Sequence, residues 1–223
     1  MTFGGSALSL CAWAKWSAFG LGSRIASFGN EPSTADRIIF HHFGTSDRLG
    51  WSVYHNNGEY RNVYTGSVLK RDIWTHVCGT VDTLGSMQIF VNGVEEPCID
   101  GKACEKDTGK GSNGWVPNRM LRKNAYIGRS NEEGKDYFQG SISDITIIDG
   151  KALNAAEVAE EMLARAPLTW TFQLDSFDDG DSIAVTSTGA NTGQLTATVH
   201  QGAQLGAGSL FAAKIRVNLA DEC

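Results

Sequence analysis

The strongest constraint on this chain is a period of two. Polar and apolar residues alternate in Leu8-Ser9-Leu10-Cys11-Ala12-Trp13 and in Arg24-Ile25-Ala26-Ser27-Phe28, and Gly or Ser clusters bound each run. Alternation sends every second side chain to one face of an extended backbone, so both runs read as half-buried strands. Trp51-Ser52-Val53-Tyr54 and Tyr60-Arg61-Asn62-Val63-Tyr64 flank Asn57-Gly58, a pair that tolerates the left-handed backbone of a tight hairpin. Residues 74–82 and 87–91 form the next pair, and Asn92-Gly93 turns the second strand back toward Val94. Two more strands lie at 125–128 and 141–148. Glycine supplies the turns: 26 of 223 residues, roughly 12% against a usual ~7%, with only 4 Pro. Residues 100–119, rich in Gly, Lys, Asp and Asn, carry no period and read as a long surface loop.

One helix interrupts this pattern. Asn154-Ala155-Ala156-Glu157 resembles a capping box, Val158, Met162 and Leu163 supply an apolar stripe, and Pro167 stops the helix. Alternation resumes at 170–174, 194–199 and 214–219. The expected fold is all-β: an antiparallel two-sheet sandwich with one short helix near residues 154–165.

Composition removes several functions. A net charge of −6 offers no basic footprint for nucleic-acid phosphates. The apolar stretch 7–21 is broken by Lys15 and Ser17, so no membrane span is expected. Met1-Thr2-Phe3-Gly4-Gly5 lacks the basic start of a signal peptide. Five cysteines without a CxxC pair support neither a zinc ribbon nor a redox motif. Cys98 and Cys104 either pair in an oxidising compartment or are ordinary thiols.

The order of motifs carries a resemblance. Trp74-Thr75-His76-Val77, then Ile89-Phe90-Val91-Asn92-Gly93, then Tyr126-Ile127-Gly128-Arg129, resembles the laminin G-like jelly roll of the concanavalin A-like lectin/glucanase superfamily. The segment 137–145, followed by Ala152-Leu153-Asn154-Ala155-Ala156-Glu157-Val158, is similar to that family's closing strand and terminal helix. One departure is Ser143 where the family often has Asp, with Asp144 next. The family's opening strands are missing from the N-terminus, yet Trp170-Thr171-Phe172, the 186–191 turn and Ile215-Arg216-Val217-Asn218-Leu219 resemble them. The chain therefore reads as one domain, 1–223, in permuted strand order, with 1–165 as main body and 166–223 completing the sandwich. The alternative is a segment cut from a tandem array.

The resemblance implies a non-enzymatic carbohydrate-binding or adhesion module, extracellular or at the cell surface, with a glycan or an extracellular protein as partner. The alternative is a protein–protein assembly module without a sugar site. The glucanase branch needs carboxylates on one strand face, whereas Glu95-Glu96 and Glu132-Glu133 are adjacent pairs that point opposite ways in a strand. Gly109-Lys110-Gly111-Ser112-Asn113-Gly114 matches a dinucleotide fingerprint, but no apolar strand precedes it and no helix follows. His41 and His42 are strand neighbours facing opposite ways, and His76 reads as a structural hydrogen-bonding residue.

Two groups are left as ligand candidates. Sugars stack on aromatic rings, and Trp51, Tyr54, Tyr60 and Tyr64 share one hairpin, about half of them expected to face the core; Trp115 stands in the polar 100–119 loop. Asp175, Asp178, Asp179 and Asp181 crowd one turn and suggest Ca²⁺, although the spacing is not that of an EF-hand and a solvated acidic turn is the plainer reading.

Overall fold

The computed structural model describes residues 1–30, 33–55, 58–105, 108–165, 182–186, 194–198 and 216–217. Its strands are β1 (Thr2–Phe3), β2 (Leu8–Ala18), β3 (Arg24–Asn30), β4 (Ser33–His42), β5 (Arg48–Tyr54), β6 (Tyr60–Ser67), β7 (Thr75–Val81) and β8 (Met87–Val91). There follow β9 (Val94–Glu96), β10 (Met120–Leu121), β11 (Asn124–Ile127), β12 (Gln139–Asp149), the helix α1 (Ala155–Ala164), β13 (Ser182–Thr186), β14 (Gln194–Thr198) and β15 (Arg216–Val217). The chain divides into two compact units, Met1–Pro167 and Leu168–Cys223.

The first unit is the expected sandwich. One five-stranded sheet has the order β11-β3-β4-β5-β6 and the other β12-β2-β7-β8-β9. Every pairing in both sheets is antiparallel. The short β1 pairs with β10. In the second unit β13, β14 and β15 form an antiparallel sheet of their own.

Alternation decides which side chains make the core. From the first sheet Ile38, Phe40, Leu49, Trp51, Val53 and Val63 point inward, and from the second Leu8, Leu10, Ala12, Val77, Met87 and Ile89 do. Each large apolar side chain among them contributes about 1.5–3 kcal/mol through burial. Gly79 shows how closely the layers approach: a Cβ there would sit 2.8 Å from the Trp51 indole of the facing sheet. Only a residue without a side chain fits beneath that ring.

The second sheet is also covered on its other face. Cys11, Cys78 and Phe90 meet Leu153 and Val158, so α1 lies over that side. Ser9 donates to the Lys151 carbonyl and accepts from the Leu153 amide, which pins the approach to the helix. Cys11 and Cys78 stand opposite each other in the β2–β7 register and form a disulfide, which the sequence did not announce. Cys98 and Cys104 are also disulfide-bonded. The departure at Ser143-Asp144 falls where the β12–β2 register shifts, and Asp144 has a φ of 49°. A bulge there explains why an Asp, which tolerates left-handed backbone, occupies that step.

Candidate functional site

The first sheet's outward face holds the polar residues that its alternation displaces from the core. Beside the inward Ile38 and Phe40, β4 turns Arg37, Ile39 and His41 outward; beside Trp51 and Val53, β5 turns out Gly50, Ser52 and Tyr54. Register then places Tyr60 opposite Tyr54, Asn62 opposite Ser52 and Tyr64 opposite Gly50. Arg24 stands opposite His41, and Ser27 opposite Ile39. The result is a polar floor with three tyrosines at one side and two arginines at the other.

Two loops flank that floor. Residues 98–104 continue the sheet beyond β6: the Tyr64 amide donates to the Asp100 carbonyl at 2.8 Å, and the Ile99 amide returns a bond to Tyr64 at 3.0 Å. Asn62 Oδ1 accepts from the Lys102 amide at 2.8 Å, and the Cys98–Cys104 bridge closes this loop. Lys102 Nζ lies 3.7 Å from the centre of the Tyr60 ring. On the other side Asn131 holds residues 129–137 down on β3, donating through Nδ2 to the Ser27 carbonyl at 2.9 Å and its Oγ at 3.0 Å. Between Arg37 and this loop opens a depression of about 670 Å³, lined also by Arg129, Glu132, Lys135 and Tyr137.

The charges concentrate at one point. Glu132 Oε2 lies 3.5 Å from Arg24 Nη2 and 3.9 Å from Arg37 Nη1, and Lys135 Nζ is 3.3 Å from Oε1. The two arginine side chains are 7% and 5% exposed, whereas Glu132 is 41% exposed, so the carboxylate stands at the mouth above buried guanidiniums. Burial lowers the Arg24 pKa, with Glu132 opposing that shift. His41 is held neutral, first by burial and then by the Arg24 charge; its Nε2 lies 3.3 Å from Ser52 Oγ. Burial likewise raises the pKa values of Tyr54 and Tyr64, so both keep their hydroxyl protons. Gly50 leaves room for the Tyr64 ring, which any Cβ at that position would overlap.

The candidates read from the sequence separate under this geometry. Tyr54, Tyr60 and Tyr64 share the outward face, with the Tyr54 and Tyr60 rings 5.1 Å apart. Trp51 does not join them. It is fully buried, edge-on to Phe40, because odd-numbered positions of β5 face the core; its assignment to ligand binding is corrected to packing. Trp115 is also elsewhere: it stacks on His55 at 4.4 Å, carries the Arg61 guanidinium at 4.1 Å and packs against the core. Arg61 alternates to the opposite face from Tyr60 and Asn62, so Trp115 is not beside the tyrosines. His41 and His42 do diverge, His42 pairing instead with Ser23 Oγ at 2.7 Å. Among the described residues no three His, Cys, Asp or Glu side chains gather as a metal site, and Asp175, Asp178, Asp179 and Asp181 lie outside the described residues.

No motif in the sequence marks Arg24 and Arg37 as site residues, and Glu132 stands out there only as half of the adjacent pair Glu132-Glu133. The local signal is alternation alone: in Arg37-Ile38-Ile39-Phe40 the arginine falls on the strand face opposite Ile38 and Phe40, which marks the outward side but not its partner.

Comparison with known proteins agrees with the architecture. A laminin G profile of the concanavalin A-like lectin/glucanases superfamily matches residues 1–159. No curated protein matches the sequence. Among solved structures, the CBM40 domain of the Ruminococcus gnavus IT-sialidase, bound to α2,3-sialyllactose, is similar with a TM-score of 0.54 and 14% identity, over 70% of this chain and 82% of that one. The NanB sialidase of Streptococcus pneumoniae gives 0.55 at 16% identity, over 90% of this chain and 31% of that one. A leech intramolecular trans-sialidase gives 0.55 at 15%, over 88% and 29%. These likenesses concern the fold. With the profile spanning both five-stranded sheets and the first half of the helix, the chain belongs to the laminin G-like branch of the concanavalin A-like lectin/glucanases superfamily.

Proposed function

We propose that this protein is a non-enzymatic carbohydrate-binding module whose ligand lies on the outward face of the first sheet. The observation that carries the proposal is the floor itself: Tyr54 and Tyr60 stand side by side with rings 5.1 Å apart, and beside them the Tyr64 hydroxyl accepts from Asn62 Nδ2 at 2.9 Å and so keeps its own proton to donate, while the buried Ser52 and Asn62 hold the floor in place between two flanking loops. Sugar recognition needs that combination of apolar ring surface and fixed hydroxyl partners. The sialyllactose named with the R. gnavus domain supports a glycan as the ligand class. Two disulfides suit an oxidising, extracellular setting. No described helix is long and apolar enough to cross a membrane.

Calcium belongs to the proposal as a second element, carried by Asp175, Asp178, Asp179 and Asp181. A glycan array with and without EDTA tests both parts. Binding that falls at least fivefold in Tyr54→Ala or Tyr60→Ala, each still folding cooperatively, supports the sheet face as the site. Loss of binding in EDTA supports the calcium element, and unchanged binding removes it. Silence across the array removes the lectin reading and favours a protein–protein assembly module. Release of reducing sugar from any bound glycan would overturn the non-enzymatic part.

A further inference from the structure

Resting on that reading, we infer that the sheet face selects sugars bearing a carboxylate, and that Glu132 is a tethered occupant which such a ligand displaces. A carboxylate already sits where the ligand's carboxylate would sit. Glu132 Oε2 meets Arg24 at 3.5 Å and Arg37 at 3.9 Å, longer than a good charge-assisted bond, and one oxygen is shared between two guanidiniums. Arg24 is nine-tenths buried, and its Nε has no hydrogen-bond partner among the described residues. A buried donor left unpaired is costly, so the guanidinium is preorganised for an acceptor that Glu132 does not fully supply.

The loop geometry allows the exchange without backbone movement. Asn131 is fixed to Ser27, and Asp136 accepts from the Leu21 amide and donates its own amide to the Leu21 carbonyl. Between those anchors Glu132 is partly exposed; it lines the 670 Å³ depression together with Arg37, and rotation of its side chain would uncover the Arg37 guanidinium there and the Arg24 guanidinium 3.5 Å from its Oε2. Lys135 sits 3.3 Å from Glu132 and remains available as a partner for the displaced carboxylate. Register sets Arg24, His41, Gly50 and Tyr64 in one row across β3 to β6, so the tyrosine side of the floor shares its face with the anion position. The shared ligand chemistry is a sugar carboxylate, whether from a sialoside or a uronide.

Calorimetric titration of the full chain with 3′-sialyllactose, a glucuronic-acid disaccharide and lactose tests this, with Glu132→Gln and Arg24→Gln as variants. Removing the competing charge should raise affinity for an acidic sugar about tenfold while leaving lactose unchanged. Arg24→Gln should abolish the acidic preference; if that variant does not fold, Arg24→Lys, which keeps the charge but loses the guanidinium's Nε–H and paired donors, should reduce the preference, and an undiminished preference would overturn the role of Arg24. The sialoside and glucuronide arms distinguish the source of the carboxylate. A Glu132→Gln protein that binds acidic sugars more weakly, or gains equally for lactose, overturns the proposal while leaving the lectin reading intact. Acetate separates the other failure: a shift of the Arg24 Nε–H resonance on acetate addition, without binding of any sugar, would keep the anion subsite and sink the glycan reading. Absence of both overturns the proposal together with the reading on which it rests.

Discussion

Arg122 is the most fully enclosed cation described, at 0% exposure, and it is used for architecture. Its Nε, Nη1 and Nη2 donate to the carbonyls of Asp36 at 3.0 Å, Phe3 at 2.7 Å and Asn118 at 3.0 Å, with the guanidinium over the Phe3 ring. One side chain thereby ties β1 and the loop before β10 to β4. Arg122→Met would strand three acceptors, and a loss of roughly 3–5 kcal/mol in urea unfolding is expected. Arg122→Lys should fall between, since an ammonium cannot reach all three in a fork. The histidines give a pH dependence. Burial lowers His42 and His76 from 6.5 to about 4. The unfolded chain therefore binds more protons between those values, so stability is fully present above about pH 6.5 and declines as pH falls toward 4, by ~1.4 kcal/mol per pKa unit for each group. Urea midpoints measured from pH 7 to pH 4.5 should fall steadily, and His76→Gln should flatten the slope; a flat wild-type profile would refute the assignment.

The elements whose signals are local were legible in the sequence. The helix expected near 154–165 occupies Ala155–Ala164, because its cap is written in adjacent residues: Asn154 Oδ1 accepts from the Glu157 amide at 3.1 Å, and Glu157 Oε2 accepts from the Asn154 amide at 3.0 Å. Asn154→Ala should cost about 1 kcal/mol. Because α1 covers Cys11, Cys78 and Phe90, that loss should appear in the global transition rather than as separate fraying, which hydrogen exchange of the Val158 amide can check. The 87–91 strand and its Asn92-Gly93 turn were equally readable, and both turn residues do take positive φ, 49° and 80°. Pairing between distant strands was not. Cys11 and Cys78 are 67 residues apart, and only the β2–β7 register sets them opposite each other; a slip by one residue would send them to different faces. The site failed to show for the same reason. Arg24 and Arg37 come from neighbouring strands and Glu132 from a loop beyond β11, so nothing local in the sequence joins them. Tyr54 and Tyr60 share one hairpin, and their meeting was foreseen; Trp51 on the same hairpin was misassigned because periodicity gives two faces without saying which is the core.

At the scale of the whole molecule the family resemblance was legible over residues 8–163, where four motifs fall in order, and the profile match over 1–159 covers all of that span except its last four residues. The role of 166–223 is a proposal that truncation decides. Read as a permuted domain, this segment supplies missing strands, and Ile215-Arg216-Val217-Asn218-Leu219 should join the sandwich that contains β2. Yet β2 has β12 on one edge and β7 on the other, so both of its hydrogen-bonding edges are taken within the first unit. Both five-stranded sheets are drawn from residues before Gly150, and α1 closes over the second of them before Pro167. A chain ending at Pro167 keeps both five-stranded sheets and α1, and is therefore expected to stay soluble and to melt in one cooperative transition within a few degrees of the full protein. It should also keep whatever glycan affinity the full chain shows, because Arg24, Tyr54, Tyr60 and Glu132 all lie before the cut. Loss of calcium dependence alone in that truncation would assign the ion to Asp175, Asp178, Asp179 and Asp181. Aggregation, or a transition lowered by more than about 10 °C, would mean that the segment buries a face of the sandwich and would establish the permuted single domain instead.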